Sequence, residues 1–161
     1  MNDMQSPLHK EEDLIYMRRA LALAEEAAVQ DEVPVGALIV HRGEIIAEAF
    51  NTRETSKCAT HHAEILVIEA ACRRLGGWRL PDCTLYVTLE PCPMCAGAIV
   101  NSRIDRVVYA APDLRAGAFG SVVDLNDLPL NHKPQIAGGV CCEESKNVLS
   151  AYFRAKRKKK E

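Results

Sequence analysis

The segment Pro91-Cys92-Pro93-Met94-Cys95 constrains this chain more than any other. Before it, Thr84 to Leu89 is β-rich and largely apolar; after it, Met94 to Val100 is compact and apolar and leads into a second β-rich run, Arg106 to Tyr109. Proline suits the first turn of a helix, where its missing N–H would have no partner anyway. The order is therefore strand, helix, strand. Two strands joined in that way lie parallel in one sheet, connected by a right-handed crossover.

The flanking patterns extend this unit. From Glu11 to Gln30, Leu14, Met17, Leu21, Ala24 and Ala28 recur at three- and four-residue steps, with Glu12, Arg19 and Glu26 opposite them, which predicts an amphipathic helix. Pro34 and Gly36 interrupt it, and Val35 to Val40 and Glu44 to Phe50 read as a hairpin about Arg42 and Gly43. Asn51 to Thr60 is polar and irregular. A second helix begins near His62, carries Ala63, Leu66, Val67, Ala70 and Leu75, and closes at Gly76 and Gly77. Ala111 to Gly139 contains Gly117, Gly120, Pro129 and Pro134 and reads mostly as loop, with a short strand near Gln135 to Ala137; a loop this long is unusual unless it is functional. Glu143 to Lys158, with Val148, Leu149, Tyr152 and Phe153, reads as a closing helix. With no repeat, low-complexity tract or linker, one domain is expected over residues 1–161, its core at about 11–157.

Hydrophobic residues at 48% and charged residues at 26% exclude a disordered chain, and no apolar run is long enough to span a bilayer. Met1 to Asp13 is polar and acidic, unlike a secretory signal, so a cytoplasmic location is expected. There, seven cysteines read as thiols or metal ligands rather than a disulfide framework. The formal charge of −2 is unevenly spread: Arg154 to Glu161 holds six of the 20 Lys and Arg and one of the 22 acids, which leaves 14 against 21 in the body. That basic tail, 154–160, fits a helix end that favours cations, and equally a contact to RNA.

Cys92 and Cys95, three residues apart at a helix start, share a face and can chelate one ion; helix-end amides favour their thiolates. Alone, the pair fits a redox dithiol as well as a metal site. His62-Ala63-Glu64, also at a helix start, adds a nitrogen ligand and a carboxylate, the combination hydrolytic chemistry requires. Three protein ligands leave one tetrahedral position for a water whose pKa zinc lowers toward about 7, whereas a structural zinc is closed by a fourth ligand. Residues two apart on a regular helix point about 200° apart, so His62 and Glu64 converge only at a first turn. His61 is a rival ligand, better read as exposed or supporting; Cys58, Cys72, Cys83, Cys141 and Cys142 read as small buried or partly buried thiols.

At His62-Ala63-Glu64 and Pro91-Cys92-Pro93-Met94-Cys95 the chain resembles the zinc-dependent nucleobase deaminases of the cytidine deaminase superfamily. Glu32 to Ala37, Asn51, Tyr86 to Cys92, Met94 to Ala98, Ser102 to Ile104, Gly117 to Ser121, Asn131-His132 and Phe153-Arg154 make it similar to the bacterial tRNA-specific adenosine deaminases. The resemblance runs from about Glu11 to Arg157. It implies a cytidine-deaminase-like three-layer α/β/α fold, with a mixed central sheet of about five strands flanked by helices. It also implies one zinc per subunit on His62, Cys92 and Cys95, and hydrolysis of the wobble adenosine of a tRNA anticodon stem-loop to inosine and ammonia, with Glu64 moving the protons. A homodimer is implied too. By position, Asn51 reads the flipped nucleotide, Val35 packs on the base, the Ala63 amide meets its edge, and Asp113, His132, Phe153 and Arg154 lie along the RNA channel. Three of these have a plainer reading: Asn51 as a turn former, Val35 as core, Phe153 as part of a packing stripe. Thr52-Arg53-Glu54 departs from the family pattern, and the body is acidic. A small-molecule base or nucleoside deaminase of guanine or cytosine type is the alternative the shared four residues allow.

Overall fold

The structure is a computed structural model describing residues 11–160; Met1 to Lys10 of the acidic N-terminal segment, and Glu161, lie outside the described residues. Strands β1 (Gly36–His41), β2 (Glu44–Phe50), β3 (Cys83–Leu89), β4 (Arg106–Ala111) and β5 (Gln135–Gly138) form one sheet in the order β2-β1-β3-β4-β5. β1 runs antiparallel to β2 and to β3, while β3, β4 and β5 are parallel, so the sheet is mixed. Helices α1 (Glu11–Val29), α2 (Arg53–Ser56), α3 (Ala63–Leu75), α4 (Pro93–Ser102) and α5 (Cys142–Lys159) complete the fold. The hairpin and the β3-α4-β4 crossover stand where the sequence patterns place them. The segment after Asn51 is not wholly irregular, because α2 makes one helical turn there; the long loop holds an isolated bridge, Phe119 with Asp124, and a 3-10 turn at Leu125–Asp127.

Alternate side chains of each strand enter different cores, as the two-residue period of a strand requires. Ala37, Ile39, Leu85, Val87 and Val107 face α3 and α4, packing with Ala63, Val67, Ala96 and Ile99. Leu38, Val40, Tyr86, Val108 and Ala110 face the opposite side with Met17 and Ala20 of α1, where α5 also lies. The layers are α/β/α. Helix α1 sits so close to β1 that a Cβ on Gly36 would come 2.1 Å from the Ala20 carbonyl oxygen; only glycine fits there.

Within the α1 layer lies a buried ionic cluster. Asp13 is fully buried and receives two parallel hydrogen bonds from Arg106, Nη1 to Oδ1 at 2.8 Å and Nη2 to Oδ2 at 2.7 Å, and a third from the Tyr86 hydroxyl at 2.6 Å. The first turn of α1 is thereby fastened to β3 and β4. Burial and the adjacent Asp13 carboxylate push the Tyr86 hydroxyl well above its ordinary pKa, so it remains a donor. Removing one partner of such a pair strands the other charge in a dry site, whereas replacing both with apolar groups is often tolerated. Asp13→Ala is therefore expected to lower stability by about 3–5 kcal/mol, and Asp13→Leu combined with Arg106→Met to recover most of it. Urea unfolding midpoints measure both; a single variant within about 0.5 kcal/mol of the parent would contradict the assignment.

Candidate active site

Two helices begin side by side at the end of the sheet where β3 finishes. His62 is the N-cap of α3 and Cys92 the N-cap of α4; both backbones are extended (φ −71°, ψ 154° and φ −75°, ψ 173°), and neither side chain caps its helix. Their side chains are free to point past the helix ends. Pro93 opens α4, and Cys95, fully buried, follows one turn into it. The divergence of His62 and Glu64 expected within a regular helix does not arise, because His62 precedes the first helical residue and Glu64 is the second.

His62 Nδ1 lies 3.7 Å from Cys92 Sγ and 3.5 Å from Cys95 Sγ, and the three donor atoms all fall within 4.8 Å of one another. A tetrahedral zinc, with Zn–N about 2.05 Å and Zn–S about 2.3 Å, holds a nitrogen and a sulfur about 3.6 Å apart. The donor set thus fits a zinc ion in separation, ligand type and number. A nitrogen this close to both sulfurs is not something a redox dithiol requires, so the geometry favours the metal reading of the cysteine pair. The Cys92 thiol is pulled down to about 4 by a hydrogen bond from Cys95, with His62 adding to the effect against burial. The same bond, together with burial, pushes Cys95 up. Both become thiolates when they coordinate a dication. His62 is raised above its ordinary value, first by its bond to Cys92.

Beside the donors, Glu64 is 4% exposed, and burial pushes its carboxyl up to about 7. It borders a cavity of about 220 Å³ that Val35, Asn51, Ala63, Leu89, His62, Cys92 and Asp113 also line. That is smaller than the clefts of about 300–1,000 Å³ that take drug-sized ligands, and it suits one flat ring. Val35 is core and cavity wall at once, packed in the cluster that includes Ala63. Asn51 does make the local turn, its Oδ1 accepting from Arg53 N at 3.2 Å while its Nδ2 donates to the Val33 carbonyl at 3.2 Å, yet it also lines the cavity. His61 bonds Ser56 through Nδ1 at 2.8 Å and is not among the clustered donors.

A shallower groove shares Val33, Leu89 and Asp113 with this cavity and runs to Phe153, Arg154, Arg157 and Arg115. Phe153 is 42% exposed, edge-on to Tyr152 with ring centres 5.3 Å apart, so packing does not account for it; of α5 only Ser145 is fully buried. His132 is not brought to either. Its Nε2 donates to the Ile104 carbonyl at 2.7 Å, just before β4, at the opposite end of the sheet.

Two carboxylates that sequence reasoning passed over frame the cavity. Glu90, 2% exposed, accepts from the amides of Asp113 (3.2 Å), Phe119 (3.0 Å) and Ser121 (3.2 Å) and from the Ser121 hydroxyl. It pins the loop after β4, and Gly117 passes so near that a Cβ there would meet the carboxylate. Glu32, fully buried, accepts from the amides of Glu54 (3.0 Å) and Thr55 (2.5 Å), which fixes α2. Burial alone would raise the Glu32 carboxyl, but these donors hold it below its ordinary value. The only signal was an acid before a proline beside apolar residues, Leu89-Glu90-Pro91 and Glu32-Val33-Pro34.

Comparison with known proteins agrees with this geometry. Residues 11–157 match the MafB19-like deaminase family. The tRNA-specific adenosine deaminase of Bacillus subtilis (strain 168) is 50% identical over 150 residues, 92% of this chain and 93% of its own. A structure solved in biochemical and structural studies of A-to-I editing by tRNA:A34 deaminases at the wobble position of transfer RNA superposes with a TM-score of 0.82 at 44% identity, covering 84% of this chain and 99% of that one. Guanine deaminase from Nitrosomonas europaea superposes with a TM-score of 0.73 at 26% identity, covering 86% and 83%. The fold is cytidine-deaminase-like.

Two outcomes are expected. Elemental analysis should find zinc in the parent and in Glu64→Gln, and little in His62→Ala, Cys92→Ala or Cys95→Ala; a cysteine variant that keeps full metal would remove that residue from the ligand set. Glu90→Gln should speed hydrogen exchange at the Phe119 and Ser121 amides by about 10- to 100-fold, the weight of hydrogen bonds to a buried charge, and unchanged rates would show that the loop is held by something else.

Proposed function

The chain belongs to the MafB19-like deaminase family and to the tRNA-specific adenosine deaminases, and we infer that it hydrolyses adenosine to inosine at the wobble position of a tRNA anticodon loop. The observation that carries this reading is a buried carboxylate, Glu64, set against a His/Cys/Cys cluster at the floor of a cavity the size of one base. We propose zinc for the cluster, held by His62, Cys92 and Cys95. When bound, it supplies a Lewis acid that brings the pKa of a solvent molecule toward about 7.

The remaining steps belong to the protein. Glu64 takes one proton from the attacking water and gives it to ring N1, then takes the second from the new C6 hydroxyl and delivers it to the departing amine, so that adenosine and water become inosine and ammonia. Buried beside the donor cluster and bordering the cavity, the Glu64 carboxyl is placed to accept and return a proton. Val35 packs on the base. The Ala63 amide, in the first turn of α3, has no partner within the helix and can meet an acceptor on the base edge. Asn51 orients the flipped nucleotide from the rim. Asp113, Phe153 and Arg154 along the adjoining groove suit a splayed single-stranded loop, offering charge and a flat face. The partner is a tRNA anticodon stem-loop bound by a homodimer in the cytoplasm; among the described residues no helix is long and apolar enough to cross a membrane.

The acids around the cavity favour one second reading, a free-base deaminase of guanine type, since a neutral base needs no phosphate contacts. Incubation of zinc-loaded protein with total tRNA, read by sequencing for A-to-inosine change, separates the two. Inosine at the first anticodon position is the expected result, and Glu64→Gln should slow it by at least about a hundredfold while RNA binding persists. Ammonia released from a free base, with every tRNA adenosine unchanged, would remove RNA as the substrate.

A further inference from the structure

The cavity poses an electrostatic difficulty for an RNA substrate. Glu32, Glu54, Glu64, Glu90 and Asp113 line it, and Arg53 is the one lining residue with a permanent positive charge. The carboxylates of Glu32 and Glu90 are bonded to amide or hydroxyl donors, and Asp113 Oδ1 to the amides of Arg115 and Ala116, so no cation neutralises them directly. A nucleotide entering such a mouth brings a phosphate on each side, and the repulsion must be offset at close range.

Arg53 is placed for that. Its amide bonds the Asn51 side chain at 3.2 Å, so the two residues sit on one rim of the cavity as a unit. The next two amides, of Glu54 and Thr55, are fixed to buried Glu32. The backbone beneath Arg53 is therefore held while its side chain stays exposed, and among the described residues its guanidinium makes no hydrogen bond or ion pair. Four other arginines are held by carboxylates, Arg19 by Glu48, Arg42 by Asp82, Arg74 by Glu44 and Arg106 by Asp13, and Arg115 and Arg157 lie along the adjoining groove rather than at this cavity. A fixed base carrying a free planar fork of donors matches a phosphate.

We propose that Arg53 grips the backbone phosphate next to the flipped nucleotide and thereby selects a base within an RNA chain over a free one. This rests on the RNA reading of the same cavity. The test compares the parent, Arg53→Ala and Arg53→Lys, all zinc-loaded, on a short anticodon stem-loop across a range of salt concentrations. Each is also run on the same RNA with a neutral methylphosphonate at the linkage on either side of the target. Arg53→Ala should raise KM by about 10- to 100-fold, the weight of a charge-assisted contact, and flatten the salt dependence of log KM by about 0.7 to 1, with zinc content and melting temperature unchanged. Arg53→Lys should restore part of the loss. One of the two methylphosphonates should cost the parent a similar factor and cost Arg53→Ala nothing further. An unchanged salt slope, or losses from variant and neutral linkage that multiply, would overturn the phosphate contact while leaving deamination intact. A parent that fails on every RNA would overturn the RNA reading and this role with it.

Discussion

The site depends on two helices starting next to each other. An N-cap is the one helix position whose backbone is still extended while its carbonyl already belongs to the helix, so its side chain can project beyond the end of the element. Here that position is filled by His62 and by Cys92, thirty residues apart in sequence, and neither side chain is spent on capping. Their separation is set by the core that packs Ala63 and Val67 of α3 with Ala96 and Ile99 of α4 against the same sheet face. One residue of slippage along a helix axis is about 1.5 Å, enough to spoil a donor set a few ångströms across. Packing deep in the layer therefore governs the chemistry at its edge.

Around that edge, charge is handled by main chain more than by counter-ions. The carboxylates of Glu32 and Glu90 are buried without a salt-bridge partner among the described residues and are satisfied by backbone amides of the segments they hold. The Asp13 cluster takes the other course, pairing its charge with Arg106. With no cation paired to Glu32 or Glu90 among the described residues, the mouth of the cavity is lined by carboxyl groups, and approach of a polyanion becomes a matter of local compensation.

Much of this was legible in the residues themselves. The period of α1, the turn at Arg42-Gly43 and the order of β3, α4 and β4 are all local signals, and local signals survive folding when tertiary packing agrees with them. The clustered donors His62, Cys92 and Cys95 were legible because the chemistry of such a set restricts spacing and residue type together. Asp13 was not: it lay in a segment read as a polar terminus, and its partners, Tyr86 and Arg106, are 73 and 93 residues away. Glu32 and Glu90 escaped for a related reason, since a carboxylate bonded to backbone amides leaves no trace in the identity of those partners. His132 shows the reverse limit, a position aligned by likeness whose ring is occupied by the Ile104 carbonyl at the far end of the sheet.

The anchoring of the long loop has a consequence for how such enzymes diversify. Apart from the Ser121 hydroxyl, Glu90 holds the loop through peptide groups that nearly every amino acid supplies, so most side chains along it are free to drift while its path stays put. Gly117, pressed against the carboxylate, is the conspicuous exception. A lineage can thus exchange what the loop displays to incoming molecules without disturbing the reaction centre a few residues upstream, and new selectivities become reachable by single substitutions that leave the catalyst working throughout.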